Sequence, residues 1–158
     1  MDIGSGNGYP SAALSNFAAH PFVFRGVECN SMEGLLQSFK FQSPDMQIAV
    51  CKLVGKAAKF KGKNKKWWKT QTLYWQGETI ARDSIDYQML LDEAYIALAH
   101  NTSFQNALLA TGNATLTHSI GKSNIKETVL TKSEFCSRLT RLREILRNGE
   151  DLEKITYL

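Results

Sequence analysis

Cysteine, proline and histidine are scarce in this chain, three of each in 158 residues, and each shortage closes a class of explanation. Cys29, Cys51 and Cys136 are far apart and odd in number, so the sequence encodes neither a disulfide framework nor a CxxC-type metal site. They read as buried or half-buried free thiols. Three isolated histidines give no zinc-ligand spacing, so neither a metal nor a cofactor is expected. No proline-rich linker, repeat or low-complexity tract divides the chain, which predicts one domain over residues 1–158, with residues 1–12 as a flexible Gly/Ser/Pro-rich arm. No stretch approaches the ~18 consecutive apolar residues of a membrane span. The opening MDIGSGNGYP lacks the basic-then-apolar order of a signal peptide. A cytoplasmic location without membrane association is the expectation; the oligomeric state is not encoded.

What is present suits a single core: 43% of residues are hydrophobic and 22% charged. The net charge of +4 and pI near 9 favour an anionic partner without demanding nucleic acid. Around Gly26, residues 22–29 alternate apolar with other side chains, as two short strands and a tight turn would. From Asn30, a plausible N-cap, the period changes. Met32, Leu35, Leu36 and Phe39 follow i, i+3, i+4, i+7, one face of a helix running to about Gln42. Ser43-Pro44-Asp45 restarts a helix that should stop at Gly55. Asp83 or Ser84 opens a longer one to about Ala99, a short one carries Phe104 to Gly112, and Thr131 with Glu134 forms a capping box for the last, which ends near Gly149. The predicted fold is therefore mainly α, an orthogonal helical bundle with a short N-terminal β-ribbon.

Chemistry could gather on the first long helix. Glu33, Gln37 and Lys40 are spaced by four and three, so a carboxylate, an amide and an amine share one stripe. A glycosidase needs a fixed carboxylate beside the anomeric carbon, because its transition state is cationic there. An amine of lowered pKa offers another route, capture of a ring-opened sugar aldehyde as an imine. The same spacing also suits a solvated helix face, with Glu33 closing a capping box on Asn30. Residues 56–69 carry seven lysines with Trp67 and Trp68. That segment fits either phosphate binding or ordinary solvated surface. Arg82 suits a phosphate or carboxylate fork. His118 is a lone histidine, and a satisfied structural role is its simplest explanation.

Taken in order, Ala13-Leu14-Ser15-Asn16-Phe17-Ala18, Pro21-Phe22, Gly26, Ser31-Met32-Glu33, Gln37-Ser38-Phe39-Lys40-Phe41, Leu108-Leu109-Ala110-Thr111-Gly112 and Leu139-Thr140-Arg141-Leu142-Arg143 resemble the signature of the NADAR (YbiA-like) family. The resemblance spans roughly residues 10–147. It implies a mainly α fold and N-glycosidase activity, with Glu33 and Lys40 catalytic and Gln37 beside them. Asn16 and Phe17 would line the pocket, and Lys59 and Lys63 would hold phosphate. Trp75, Arg82 and His118 complete the implied substrate-binding set. YbiA-type members carry an Asp-x-x-Trp-Gly element where this chain has His118-Ser119-Ile120-Gly121-Lys122. That departure favours an ADP-ribosylated base of the guanosine type, a nucleotide-sugar or ADP-ribosylated nucleic-acid substrate, over the family's phosphorylated riboflavin-pathway intermediate. A binding module for ADP-ribose or nucleic acid without catalysis is the alternative from another class.

Overall fold

The computed structural model describes all 158 residues. Seven helices and two antiparallel hairpins follow one another along the chain: α1 (Ser11–Leu14), β1 (Phe22–Phe24), β2 (Val27–Cys29), α2 (Met32–Ser38), α3 (Pro44–Cys51), α4 (Gly55–Lys63), β3 (Thr72–Trp75), β4 (Glu78–Ala81), α5 (Ile85–Leu98), α6 (Thr102–Ala110) and α7 (Lys132–Arg147). One apolar cluster of 29 buried residues draws on nearly all of them, which makes the chain a single domain.

The caps decide most boundaries. Thr131 and Glu134 form the reciprocal capping box at α7, and Ser43 with Pro44 at the first position opens α3. At α2 the cap is Ser31, not Asn30: the Ser31 hydroxyl accepts from the Gly34 N–H. Asn30 instead satisfies the end of α3, its backbone and side chain donating to Cys51 O and Lys52 O, while the Ser31 hydroxyl donates to Leu53 O. These bonds fill orphan carbonyls of α3 and lock α2 across its C-terminus. The crossing is so close that a Cβ on Gly34 would lie 2.8 Å from Leu53 O and 2.9 Å from Val50 O.

Two expectations need correction. The chain has a second hairpin, β3–β4, paired from Thr72↔Ala81 to Trp75↔Glu78. Both hairpins turn through two residues of positive φ, Arg25 and Gly26 in one, Gln76 and Gly77 in the other, the mirror-image turn that matches strand twist. Gln76 at the first of these positions hides the signal. Buried Gln47 ties the second hairpin to the helices by donating to Ser38 O and Tyr74 O and accepting from the Gln76 N–H. The first residues are also not a free arm: Ile3 is fully buried, Asp2 bridges to Thr117, and the Asp2 carboxylate accepts from Ser119. Burying one isoleucine side chain is worth about 2 kcal/mol, enough to dock a short segment. No helix is long and apolar enough to cross a membrane.

Candidate active site

Glu33 sits in the first turn of α2, on the flank that faces the loop after α1. Its backbone N–H donates to Asn16 O at 2.9 Å, and its carboxylate accepts from Gln37 Nε2 at 2.9 Å. It closes no capping box, because the box position three residues after Ser31 is Gly34. Glu33 and Lys40 are both half-buried, and burial acts on them in opposite senses. Loss of water raises the Glu33 carboxyl, partly offset by the Gln37 hydrogen bond and by the charges of Lys40, Lys59 and His118. Loss of water lowers the Lys40 amine; Glu33 opposes that shift, while Lys122 and Lys59 reinforce it. Burial thus draws the proton affinities of an acid and an amine toward each other in one place.

The elements around this pair determine who reaches it. Helix α4 packs on α2 through Ala58 and Gly62, and a Cβ on Gly62 would collide with Gln37 Oε1 and come within 3.2 Å of Lys40 Cδ. The glycine lets α4 lie close enough for Lys59, one residue past Ala58, to act on both Glu33 and Lys40. Gln37 Oε1 is the one buried side-chain oxygen or nitrogen without a hydrogen-bond partner. From the other side, Tyr95 of α5 donates its hydroxyl to Asn16 Oδ1 at 2.7 Å. That bond fixes the amide so that Asn16 Nδ2, which has no partner in the fold, remains free to donate. Tyr95 is completely buried and close enough to feel the Glu33 charge, with burial holding its hydroxyl well above the ordinary tyrosine range.

His118 approaches from the loop before α7. Ile3 O lies 2.7 Å from its Nδ1, so Nδ1 donates its hydrogen to that carbonyl and the ring is held in a fixed orientation. The ring packs edge-on against Phe135, which in turn touches Tyr95. The docked N-terminal segment thereby orients a histidine beside Glu33.

The structure thus gathers Glu33, Gln37, Lys40, Asn16, Lys59 and His118, with half-buried Phe17 on the Asn16 loop. It adds Tyr95 and Lys122, which sequence reasoning missed. Tyr95 lies on the apolar stripe of α5 and reads as core; Lys122 sits in a loop without periodicity. Three expected members do not converge. Lys63 points over the Phe60 ring, 5.5 Å from its centroid, and is not among the charges that shift Glu33 or Lys40. Trp75 is core, stacked edge-on against Phe24 and Phe39. Arg82 is fully buried, its three nitrogens committed to Thr128 O and both oxygens of Glu134, so no ligand can use it. An arginine after a short strand looks the same in sequence whether its partner is a ligand or a carboxylate 52 residues away. No group of His, Cys, Asp and Glu side chains has metal-ligand geometry. A separate cleft of about 490 Å³ between β1 and α5, lined by Phe22, Phe24, Arg25, Glu93 and Ile96, shares no residue with the Glu33 cluster.

Comparison with known proteins agrees with this fold. The family model described as bacteriophage protein GP30.3 matches residues 8–144. An uncharacterized 17.1 kDa protein of the Gp30-rIII intergenic region of Enterobacteria phage T4 is 36% identical over 151 residues, covering 92% of this chain and 98% of the relative. Among solved structures, the NMR structure of the E. coli protein YbiA aligns over 94% of this chain and 85% of its own, with a TM-score of 0.61 at 20% identity. The YbiA-like fold that the sequence resemblance points to is therefore observed, as a single domain of seven helices and two small antiparallel sheets.

Proposed function

The chain belongs to the bacteriophage GP30.3 family and has the fold of YbiA, and from that premise we propose that it is an N-glycosidase that removes an ADP-ribosyl group from a modified base. The observation that carries the reading is the Glu33–Lys40 pair, half-buried at the two ends of α2, Glu33 in its first turn and Lys40 just past its C-cap Phe39, with opposed shifts in proton affinity. Solvated helix faces do not build such a pair.

In the reaction the bond between C1′ of ribose and the base nitrogen breaks, water supplies the new C1′–O bond, and the base leaves with a proton. Ionised Glu33 stabilises positive charge developing at C1′ and removes a proton from the incoming water. Gln37 holds that carboxylate in place. Asn16 Nδ2 is available to a ribose hydroxyl, and Lys59 and Lys122 supply positive charge for phosphate. Lys40 offers an alternative route to the same products. When neutral, its amine can add to C1′ of a ring-opened sugar, displace the base as an amine, and form an imine that water hydrolyses back to ribose. The cations around Lys40 and its burial both favour that neutral form.

Purified protein given guanosine carrying an ADP-ribosyl group, alone and within an oligonucleotide, should release free ADP-ribose and restore the unmodified guanosine. The riboflavin-pathway intermediate serves as the competing substrate. Borohydride added during turnover should leave a sugar adduct on the Lys40 peptide, and Lys40→Arg should be nearly inactive, since it keeps the charge but cannot form the imine. An active Lys40→Arg enzyme with no trapped adduct would leave hydrolysis assisted by Glu33 alone. Release of nothing from either substrate would remove the glycosidase reading.

A further inference from the structure

Charge is segregated along this chain far more sharply than its net value implies. Residues 46–77 contain eight of the nineteen lysines and arginines and none of the fifteen acids, so the remainder, with eleven bases against fifteen acids, has a net charge of −4. In the structure these lysines are on the outside. Lys56, Lys59, Lys61 and Lys63 of α4, then Lys65, Lys66 and Lys69 around the 3-10 turn Trp67–Lys69, are all exposed.

Two aromatic rings stand out among them. Phe60 is 57% exposed and Trp68 is 53% exposed. Each has a lysine ammonium near its face, Lys63 Nζ at 5.5 Å from the Phe60 centroid and Lys69 Nζ at 5.8 Å from that of Trp68. Neither ring is needed by the core, since α4 already packs on α2 through Ala58 and Gly62 while Trp67 turns inward. Lys56, Lys59, Phe60 and Lys63 recur at helical spacing along one side of α4. Helix α4 meets α2 with Gly62 directly against Gln37 and Lys40, so the basic surface borders the site, and the charge of Lys59 acts on both Glu33 and Lys40.

We propose that this Lys/Phe60/Trp68 surface is a track for single-stranded nucleic acid that leads to Glu33. Lysines along a backbone neutralise phosphates, and exposed rings between them stack unpaired bases without regard to sequence. A duplex fits poorly, because its bases hide the faces the rings would need. An anionic membrane surface fits poorly too: an interfacial helix needs a free apolar side, and that of α4 is occupied by α2. The inference rests on the proposed glycosidase reading only for its direction, that the strand delivers a modified base to Glu33.

The test measures fluorescence anisotropy of a labelled, unmodified oligothymidylate of about 12 nucleotides, so that binding is separated from turnover. Wild-type protein should bind it at low salt and prefer it over the corresponding duplex. Affinity should fall with rising salt, and Lys61→Ala, Lys65→Ala and Lys66→Ala together should reduce the log–log slope by about 2, because each phosphate neutralised on a single strand contributes ~0.7. Phe60→Ala and Trp68→Ala should each weaken binding about tenfold with the slope unchanged, as loss of stacking would. Both rings are exposed, so the variants should keep the wild-type circular dichroism spectrum. Glu33→Gln should bind as tightly as wild type. No binding at ~50 mM salt, equal affinity for duplex and single strand, indifference to both ring variants, or a preference for vesicles containing anionic lipid would each overturn the track. Activity on a free ADP-ribosylated nucleoside without oligonucleotide binding would sink this inference and leave the glycosidase standing; binding without turnover of any substrate would do the reverse.

Discussion

Replacing Gly62 by alanine should run against ordinary helix propensity. Gly62 lies inside α4 with no positive φ, so the substitution is free of backbone strain, and on propensity alone alanine should stabilise the helix by about 1 kcal/mol. The structure reverses the sign. The new methyl would occupy the position of Gln37 Oε1, and it would stand 3.0 Å from Gln37 Cδ and 3.2 Å from Lys40 Cδ. Gln37 is 7% exposed and cannot swing into solvent without dragging its amide off Glu33. Overpacking of this kind typically costs about 1–3 kcal/mol, which leaves a net destabilisation of up to about 2 kcal/mol. The functional effect should be larger than the structural one, because the Gln37 bond is the first of the interactions that restrain the Glu33 carboxyl against burial. Urea denaturation should show a lower midpoint at unchanged slope. In the glycosidase assay, the limb of the pH–rate profile that reports Glu33 ionisation should move to higher pH. A Gly62→Ala protein that is more stable than wild type, with an unmoved limb, would refute the packing argument.

Glu33→Gln should lower turnover by at least about a hundredfold, as expected when a charge used in the transition state is removed, while thermal stability rises. The sign follows from linkage: the Glu33 carboxyl is raised in the fold, so its ionised form costs stability as pH climbs above the ordinary glutamate range, and the Gln variant escapes that cost. The gap in Tm between the two proteins should therefore open as pH rises from about 4 to about 7, and a constant gap would refute the assignment. Arg82→Gln should destabilise by about 3–5 kcal/mol because it strands the Glu134 carboxylate, which also serves the α7 capping box. Kinetics measured below its melting point should stay near wild type; a selective rise in KM would return Arg82 to the binding site.

Residue order discloses the helices wherever a cap and an apolar period coincide, as at Ser43-Pro44 and Thr131 with Glu134. The β3–β4 hairpin is not legible in the same way, since its turn begins with Gln76, which gives no turn signal at a position of positive φ. Glu33 and Gln37 are legible together because helical geometry fixes that spacing locally, whereas the helix expected to run to about Gln42 ends at Ser38 and Lys40 joins them from the turn that follows. The environment of Glu33 is not legible, since its desolvation arises from partners far along the chain: Asn16 before it, Tyr95 on α5, and His118 held by Ile3.

Packing also makes chemically similar residues part company. Arg82 and Lys40 each carry positive charge and each lies near an acid, yet only one is available for chemistry. Arg82 meets Glu134 in a two-point ion pair with no solvent exposure of the guanidinium, and Gln88, Thr128 and Thr131 complete the hydrogen bonding, a geometry that stabilises α7 and leaves no place for a ligand. Lys40 meets Glu33 across a gap with Gln37 as the bonded neighbour, half-buried, and with Lys59 and Lys122 pressing on its charge. A satisfied pair is structure. A pair kept apart, each member pushed toward its neutral form and neither fully covered, costs stability that the core must supply, and a fold retains such a cost where the pair performs chemistry. On that physical ground the proposed reaction is attributed to Glu33 and Lys40 rather than to the better-bonded Arg82 and Glu134.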